Sequence, residues 1–277
     1  MKLYAISDLH LDFAINRQAL EVLPAHPEDW LLLGGDLGHS EATLIFALST
    51  LTRRFQHVFW VPGNHDLWTV PHDPANLQGE AKYRRLVSIC RDFGVVTPED
   101  AYVRWPGEGG PHLICPLFVL YDYSFRPTHI PQEDAVQWAM ESGVLCTDEH
   151  LLHAQPFASK AAWCASRCAY TEQRLQHAAA HGPLVLLNHF PLRADLIRLR
   201  RIPRFSIWCG TQRTENWHQR FPVSVVVSGH LHIRATDYRD GVRFEEVSLG
   251  YPRHWSREAG IEPYLREILP GPQSPMR

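Results

Sequence analysis

Close to its start the chain reads Leu3-Tyr4-Ala5-Ile6-Ser7-Asp8-Leu9-His10, an apolar run that ends in an aspartate and a histidine. Four more apolar runs without polar alternation lie at residues 30–33, 58–61, 184–187 and 223–227. Such runs are typical of strands covered on both faces. A helical pattern over residues 41–55 separates the second run from the third. The order strand, helix, strand therefore predicts an α/β layered fold.

Two more helices are predicted, one over residues 83–93 from apolar spacing and one from Ser159 to His181. The second begins at a capping serine and ends before Gly182, a typical stop signal. We expect residues 1–268 to form a single domain. Residues 269–277 contain three prolines and a glycine and are predicted to be a disordered tail.

Residues 98–158 are the most irregular part of the sequence, with prolines at positions 106, 111, 116, 127, 131 and 156. We expect a strand at 113–120 and then an inserted loop and helix segment. Long connections of this kind in compact domains often serve as lids or binding loops, so the segment is interpreted as a cap-like insertion. The alternative is a proline-stiffened surface loop.

Composition and charge exclude several classes of protein. Lys and Arg number 27 against 30 Asp and Glu, a net charge of −3, which argues against a nucleic-acid binder that works by bulk positive charge. A hydrophobic content of 45% excludes global disorder. The N-terminus turns polar too soon for a secretory signal, and no apolar run approaches the ~20 residues of a membrane span. The six cysteines form no Cys-x-x-Cys pair, which favours free thiols. We expect a cytoplasmic protein that does not associate with membranes.

Five short polar segments follow the ends of apolar runs. In an α/β sheet the carboxyl ends of the strands open onto the ligand crevice, so the segments are expected to converge. Their imidazole, carboxylate and amide groups suit divalent metals. Each segment alone is equally compatible with a turn or a hydrogen-bonded histidine, but five together indicate a metal site. They are Asp8-Leu9-His10, Gly34-Gly35-Asp36, Gly63-Asn64-His65-Asp66, Asn188-His189-Phe190-Pro191 and Gly229-His230-Leu231-His232.

This series of motifs, from Asp8 to His232, resembles the calcineurin-like metallophosphoesterase superfamily, whose pattern is D-x-H, G-D, G-N-H-D/E, an isolated H and G-H-x-H. The resemblance implies a central β-sandwich flanked by helices and a catalytic domain with a binuclear metal site at the strand ends. It also implies hydrolysis of a phosphoester by a hydroxide that bridges two divalent metal ions. Mixed nitrogen and oxygen ligation suits manganese, iron and zinc alike.

The resemblance also implies roles for nine residues. The first metal is assigned to Asp8, His10 and His232. The second is assigned to Asn64, His189 and His230, and Asp36 bridges the two. His65 would be the acid near the leaving group, and Asp66 would orient it. The alternative for His65 is that it only hydrogen-bonds the substrate phosphate or shapes the turn.

Charge explains how a chain with net charge −3 attracts an anionic ester. Two divalent ions outweigh the two aspartates among the proposed ligands, so the site keeps a charge of about +2 before hydroxide binds.

Two segments of the sequence are candidates for substrate contacts. Five arginines between Arg193 and Arg204 are interpreted as a second anion site for a nucleotide, an oligonucleotide or a phosphorylated small molecule, or else as a solvated helix face. The aromatic segment from Gly250 to Trp255 either stacks a base or leaving group or plugs the sandwich. The candidate substrate residues are Arg193, Arg253 and His254.

The motifs also narrow the family branch. Leu37-Gly38-His39-Ser40 follows the G-D pair where Ser/Thr protein phosphatases have V-D-R-G, which disfavours that branch. The lack of a second large domain disfavours the secreted nucleotidases. We expect a phosphodiester or nucleotide-like small substrate and no obligate protein partner. The alternatives are a phosphomonoesterase acting on a small metabolite or phosphoprotein, a non-catalytic scaffold, and a metal hydrolase acting at a carbonyl. The His-x-His-x-Asp-His cluster typical of such carbonyl hydrolases is absent from this sequence.

Overall fold

Two β-sheets form the centre of the structure, which is a computed structural model that describes residues 1–71, 73 and 75–271. The strands are β1 Leu3–Ile6, β2 His26–Leu33, β3 Phe55–Trp60, β4 Val103–Arg104, β5 Leu113–Pro116, β6 Leu184–Leu187, β7 Val223–Ser228, β8 Ala235–Arg239, β9 Val242–Glu246 and β10 Arg266–Leu269. One sheet has the order β10-β1-β2-β3 and the other the order β4-β5-β6-β7-β9-β8. Strands β1 to β3 are parallel, as are β5, β6, β7 and β9.

Helices flank both sheets, which confirms the expected α/β sandwich. Ser40 caps the helix Glu41–Leu51 (α2) and Ser159 caps the helix Lys160–Ala178 (α7), each by accepting a hydrogen bond from a backbone N–H group at 3.1 Å. The predicted helix over 41–55 is too long by four residues, because Phe55 already begins β3. The α-helices are α1 Ala14–Glu21, α2 Glu41–Leu51, α3 Asn64–Leu67, α4 Gly79–Asp92, α5 Ala135–Met140, α6 Asp148–Leu151, α7 Lys160–Ala178 and α8 Trp217–Arg220. In the described residues, no helix is both long enough and apolar enough to cross a membrane.

Alternate side chains of each buried strand serve two different cores, which explains why the apolar runs lack polar alternation. The layer between the sheets contains Leu3, Ala5, Trp30, Leu32, Val185, Leu187, Val225 and Val227. The intervening residues, such as Leu31, Leu33 and Leu186, pack against the helices. All six cysteines are free, and Cys146 is the one that is not fully buried.

The segment 98–158 differs from the expectation in two respects. Its first part supplies β4 and β5 to the six-stranded sheet, so the long stretch without strands begins only after Pro116. The predicted strand over 113–120 ends at Pro116, and the side chain of Asn188 takes over the pairing by accepting from the backbone N–H of Val119 at 2.9 Å.

The C-terminal tail also differs. Leu269, placed at the start of the disordered tail, is the last residue of β10, while residues 272–277 lie outside the described part of the chain.

Candidate metal centre and substrate cavity

The carboxyl ends of β1 and β7 bring Asp8, His10 and His232 together. The His232 Nε2 atom lies 2.9 Å from Asp8 Oδ1 and 3.1 Å from His10 Nε2. One ligand atom from each residue falls within 4.8 Å of the other two. Two imidazole nitrogens and a carboxylate oxygen at this spacing suit a divalent transition metal.

A second group forms at the ends of β2, β3 and β6. The His189 Nε2 atom is 3.2 Å from Asn64 Oδ1 and 3.6 Å from Asp36 Oδ2. Asp36 also clusters with Asp8 and His189 within 4.8 Å, so its carboxylate lies between the two groups. A bridging ligand must occupy this place.

His230 is the seventh proposed ligand and lies beside the second group, with its ring centroid 5.2 Å from that of His189. Its buried Nε2 atom has no hydrogen-bond partner among the described residues, and burial lowers the pKa of the ring. A buried imidazole nitrogen without a partner is costly unless something binds it. The residues present therefore fit a two-metal centre.

Backbone strain is concentrated at the same place. Nine described residues other than glycine have positive φ, and five of them are proposed ligands. Positive φ is uncommon for such residues and costs of order 1–3 kcal/mol each, and it persists where the surroundings enforce it. The five are Asp8, His10, Asp36, His230 and His232, with φ from 42° to 73°.

Neighbouring groups orient the ligand atoms. The Nδ1–H of His189 donates to the carbonyl oxygen of Gly34 at 2.7 Å, which leaves Nε2 unprotonated and directed at the site. The Asn64 side-chain amide donates to Asp148 at 2.9 Å and so turns its oxygen to the same place. Asp148 is fully buried on α6 and also accepts from Trp68 Nε1 at 2.6 Å. No sequence motif indicated Asp148, since it lies 84 residues from Asn64.

His65 lies at the edge of the metal centre, with Nε2 3.8 Å from Asp36 Oδ2. Its Nδ1 atom is 2.8 Å from His39 Nε2, and its ring stacks on Trp68 with centroids 3.7 Å apart. Burial, together with the nearby rings of His10 and His39, lowers the pKa of His65.

Asp66, which was expected to orient His65, makes no hydrogen bond to the ring of His65 in the described residues. Its carboxylate instead accepts the backbone N–H groups of Asp36, Leu37 and Gly63 at 2.8, 3.0 and 2.9 Å. Burial raises the pKa of Asp66 to about 7, against the opposing effect of these bonds. Asp66 thus holds the loop that presents Asp36, and His39 takes the place beside His65.

Two cavities meet at the metal centre. The first, of about 390 Å³, joins ligand residues such as Asn64 and His230 to an apolar wall. The second, of about 470 Å³, opens beside His10 and His39. His65, Tyr251 and Arg253 line both cavities. The apolar wall of the first cavity consists of Leu145, Cys146, Leu199, Ile202 and Phe205.

Two of the three predicted substrate residues lie at these cavities. Arg253 and His254 both line the first cavity. Arg193 does not line either, because its guanidinium is engaged by Asp195 at 2.8 Å and by the carbonyl oxygen of Glu215 at 3.0 Å.

The aromatic segment is divided between a buried part and a part that faces the cavities. Trp255 is buried and donates to Asn16 at 3.2 Å, as a plug would. Tyr251 instead stacks on the proposed ligand His10, with centroids 4.5 Å apart, and faces the cavities. Tyr251 belongs to the aromatic segment named from the sequence, but its contact with His10 was not predicted.

The fold and the ligand set define a metallophosphoesterase. The chain belongs to the calcineurin-like phosphoesterase family, whose model matches residues 1–234, and it is a hydrolase acting on phosphoesters. The predicted enzyme class is confirmed, and the scaffold and carbonyl-hydrolase alternatives are set aside.

The chain is similar to the acyl-carrier-protein phosphodiesterase PptH of Mycobacterium tuberculosis, with 46% identity over 275 residues, 98% of this chain and 84% of that protein. The crystal structure of the phosphopantetheinyl hydrolase PptH from that organism superposes with a TM-score of 0.94, at 45% identity, over 100% of this chain and 98% of the other.

Proposed function

We propose that this chain is a binuclear metal-dependent phosphodiesterase that removes the phosphopantetheinyl group from an acyl carrier protein. One observation carries the proposal. The cavity of about 390 Å³ joins the metal-ligand cluster to an apolar wall, in a chain 46% identical to an acyl-carrier-protein phosphodiesterase. The wall suits the gem-dimethyl and methylene groups of the pantetheine arm. A protein-borne diester thus replaces the nucleotide-like small substrate expected from the sequence.

Seven residues would hold the metals: Asp8, His10 and His232 the first, Asn64, His189 and His230 the second, with Asp36 between them. Two divalent ions held there would neutralise charge on the phosphate and lower the pKa of a bound water molecule. The protein fixes these side chains in advance. Five of them have a strained backbone with positive φ, and His189 and Asn64 are each oriented by a hydrogen bond to Gly34 and Asp148 respectively. Such preorganisation avoids the cost of ordering the site during the reaction.

His65 would supply the proton to the departing oxygen. Its ring lines both cavities, and its Nε2 atom lies 3.8 Å from Asp36 Oδ2, so the ring would stand beside a phosphate held at the metals. Burial lowers the pKa of the ring in the free chain, but an anionic phosphodiester in contact with Nε2 acts in the opposite direction. The bound substrate therefore favours the protonated form that a general acid needs.

Arg253 and His254 would hold the non-bridging oxygens of the phosphate. Arg253 is exposed, lines both cavities and lies 5.1 Å from the ring centroid of Tyr251. A guanidinium in this place matches phosphate geometry. The less exposed part of the apolar wall, with Cys146, Leu199 and Phe205, would then receive the arm.

The test is hydrolysis of phosphopantetheinylated acyl carrier protein, with manganese, iron or zinc supplied in turn. Mass spectrometry follows the loss of the group from the protein. Parallel rates on bis(p-nitrophenyl) phosphate and p-nitrophenyl phosphate separate diester from monoester hydrolysis. We expect kcat/KM to be highest on the carrier protein and lowest on the monoester. Faster hydrolysis of the monoester would favour a phosphomonoesterase. An unmodified carrier protein beside rapid turnover of the small diester would refute the assigned substrate.

A further inference from the structure

The arginine segment that follows His189 divides into two groups. Arg193, Arg198 and Arg204 are neutralised within the chain, by Asp195, Asp237 and Glu141 respectively. Arg200 and Arg201 are exposed and have no carboxylate partner within residues 1–71, 73 and 75–271. Two adjacent cationic side chains are thus left to solvent in a chain whose net charge is −3.

These arginines lie at the mouth of the first cavity. Their neighbours on either side, Leu199 and Ile202, both line it. Ile202 is 43% exposed, and Leu145, on the same cavity, is 70% exposed. The mouth therefore combines unpaired positive charge with exposed aliphatic surface, a mixture typical of surfaces that bind proteins.

The position of the phosphate decides which partner reaches this mouth. The ligand residues His230 and His232 share the cavity with Leu199 and Ile202. A diester on a protein side chain is tethered close to that protein's backbone. When its phosphorus reaches the ligands, the surface of the carrier must lie against the cavity mouth.

We propose that a docking rim, formed by Leu145, Arg200, Arg201 and Ile202, binds an acidic face of the protein that carries the phosphodiester. The inference rests on the proposed function, because it assumes a protein-borne substrate. Charge complementarity selects an acidic partner, since the rim offers cations without internal partners. The exposed aliphatic side chains favour a folded protein over a polynucleotide, whose backbone they cannot match.

The experiment compares two double charge reversals in the full-length metal-loaded enzyme, Arg200→Glu/Arg201→Glu and Arg53→Glu/Arg104→Glu. The control pair is exposed and lies at the opposite ends of the strands, because Arg53 precedes β3 and Arg104 pairs with Leu113 at the start of β5. Both variants change the net charge equally. Steady-state kinetics are measured on the carrier protein and on bis(p-nitrophenyl) phosphate, at low and high salt.

We expect the rim variant to raise KM for the carrier protein about tenfold or more at low salt, and the difference to shrink at high salt, where the Debye length falls to a few ångströms. The kcat of the rim variant and its rate on the small diester stay at the wild-type values. The control variant keeps the wild-type kinetics on both substrates. An unchanged KM for the carrier protein would overturn the inference. The inference would also be overturned if an oligonucleotide inhibited the wild type but not the rim variant, while the rim variant kept the wild-type KM for the carrier protein. If the wild type hydrolyses the small diester but not the carrier protein, the proposed function is wrong. Direct titration of the carrier protein onto both variants then decides separately whether the rim binds it.

Discussion

The ring of His65 is held by the ring of His39, with His65 Nδ1 and His39 Nε2 2.8 Å apart. His39 is held in turn by Asp12, whose carboxylate accepts the His39 backbone N–H at 2.8 Å and lies 3.4 Å from its Nδ1 atom. This chain of contacts directs His65 Nε2 towards Asp36 and the metal centre. Because each imidazole has one donor and one acceptor nitrogen when neutral, the pair also couples the tautomers of the two rings.

Removal of either histidine should slow hydrolysis without emptying the metal site. We expect His65→Ala to lower kcat on a phosphodiester by a factor of about 10² or more. His39→Ala should cost about tenfold in kcat, because the ring of His65 loses one restraint while Trp68 still stacks on it. His39→Gln, which keeps an amide beside Nδ1, should recover part of the loss.

Metal content measured by elemental analysis is the control for these variants. Neither variant removes a proposed ligand, so both should retain the wild-type metal content. Wild-type kcat in His65→Ala would remove this residue from the mechanism. Loss of metal from His39→Ala would show that its contribution is structural.

Asp66→Asn should act on the loop and not on proton transfer. The variant replaces one carboxylate oxygen by an NH2 group, which cannot accept, so at least one of the backbone N–H groups of Asp36, Leu37 and Gly63 loses its acceptor. We expect a loss of about 2 kcal/mol in the free energy of unfolding and weaker metal binding, since Asp36 is no longer fixed. Urea unfolding and elemental analysis measure both effects. Lower kcat at unchanged stability and metal content would restore a direct role beside His65.

The sequence predicted the parts of the site that depend on local chain geometry. Asp8, Asp36 and His189 each follow a buried strand within a few residues, so the strand pattern alone placed them at one edge. The contacts of Asp148 and Tyr251 with the ligands were not predicted, because they form only after distant segments pack. A single sequence contains no record of such contacts.

In the arginine segment, the sequence predicted more free positive charge than the structure contains. Composition indicated five arginines that could bind an anion, but the acidic partners of three of them become visible only in the fold. Asp195 is close to Arg193 in sequence, whereas Asp237 reaches Arg198 from another strand. Local charge counts therefore overestimate the positive charge that is available to a ligand.

Metal removal should abolish activity and also destabilise the chain. Without cations, Asp8 and Asp36 remain buried close together, and burial with the neighbouring carboxylates raises the pKa of Asp36. Ions that bind only the folded chain stabilise it in proportion to their occupancy. We expect a chelator to stop phosphodiester hydrolysis and to lower Tm by several degrees. Restoration by manganese, iron or zinc, each added alone, identifies the metals that support activity. Full activity after exhaustive chelation would contradict the metal mechanism.

A buried ion pair far from the ligands should control part of the acid sensitivity of the fold. Glu99 Oε1 lies 2.7 Å from Arg167 Nη2 and 2.6 Å from the Tyr83 hydroxyl. Burial would raise the pKa of Glu99, but Arg167, Tyr83 and Arg84 outweigh it and the pKa falls below its ordinary value of 4.5. The stabilisation is therefore present above about pH 4.5 and is lost as the pH falls through the lower pKa of the folded state.

Glu99→Gln should accordingly lower the free energy of unfolding at pH 7 by about 3 kcal/mol, because it leaves the buried Arg167 charge without its partner. The difference from wild type should shrink as the pH falls through the folded pKa, where the wild-type carboxyl is itself protonated. Glu80→Gln is the matched control, since Glu80 pairs with the exposed Arg84 and such pairs contribute at most about 1 kcal/mol. Urea unfolding of the three proteins between pH 7 and pH 3 measures the effect. A difference for Glu99→Gln that stays constant over this range would mean that lost packing, and not the charge of Glu99, causes the destabilisation.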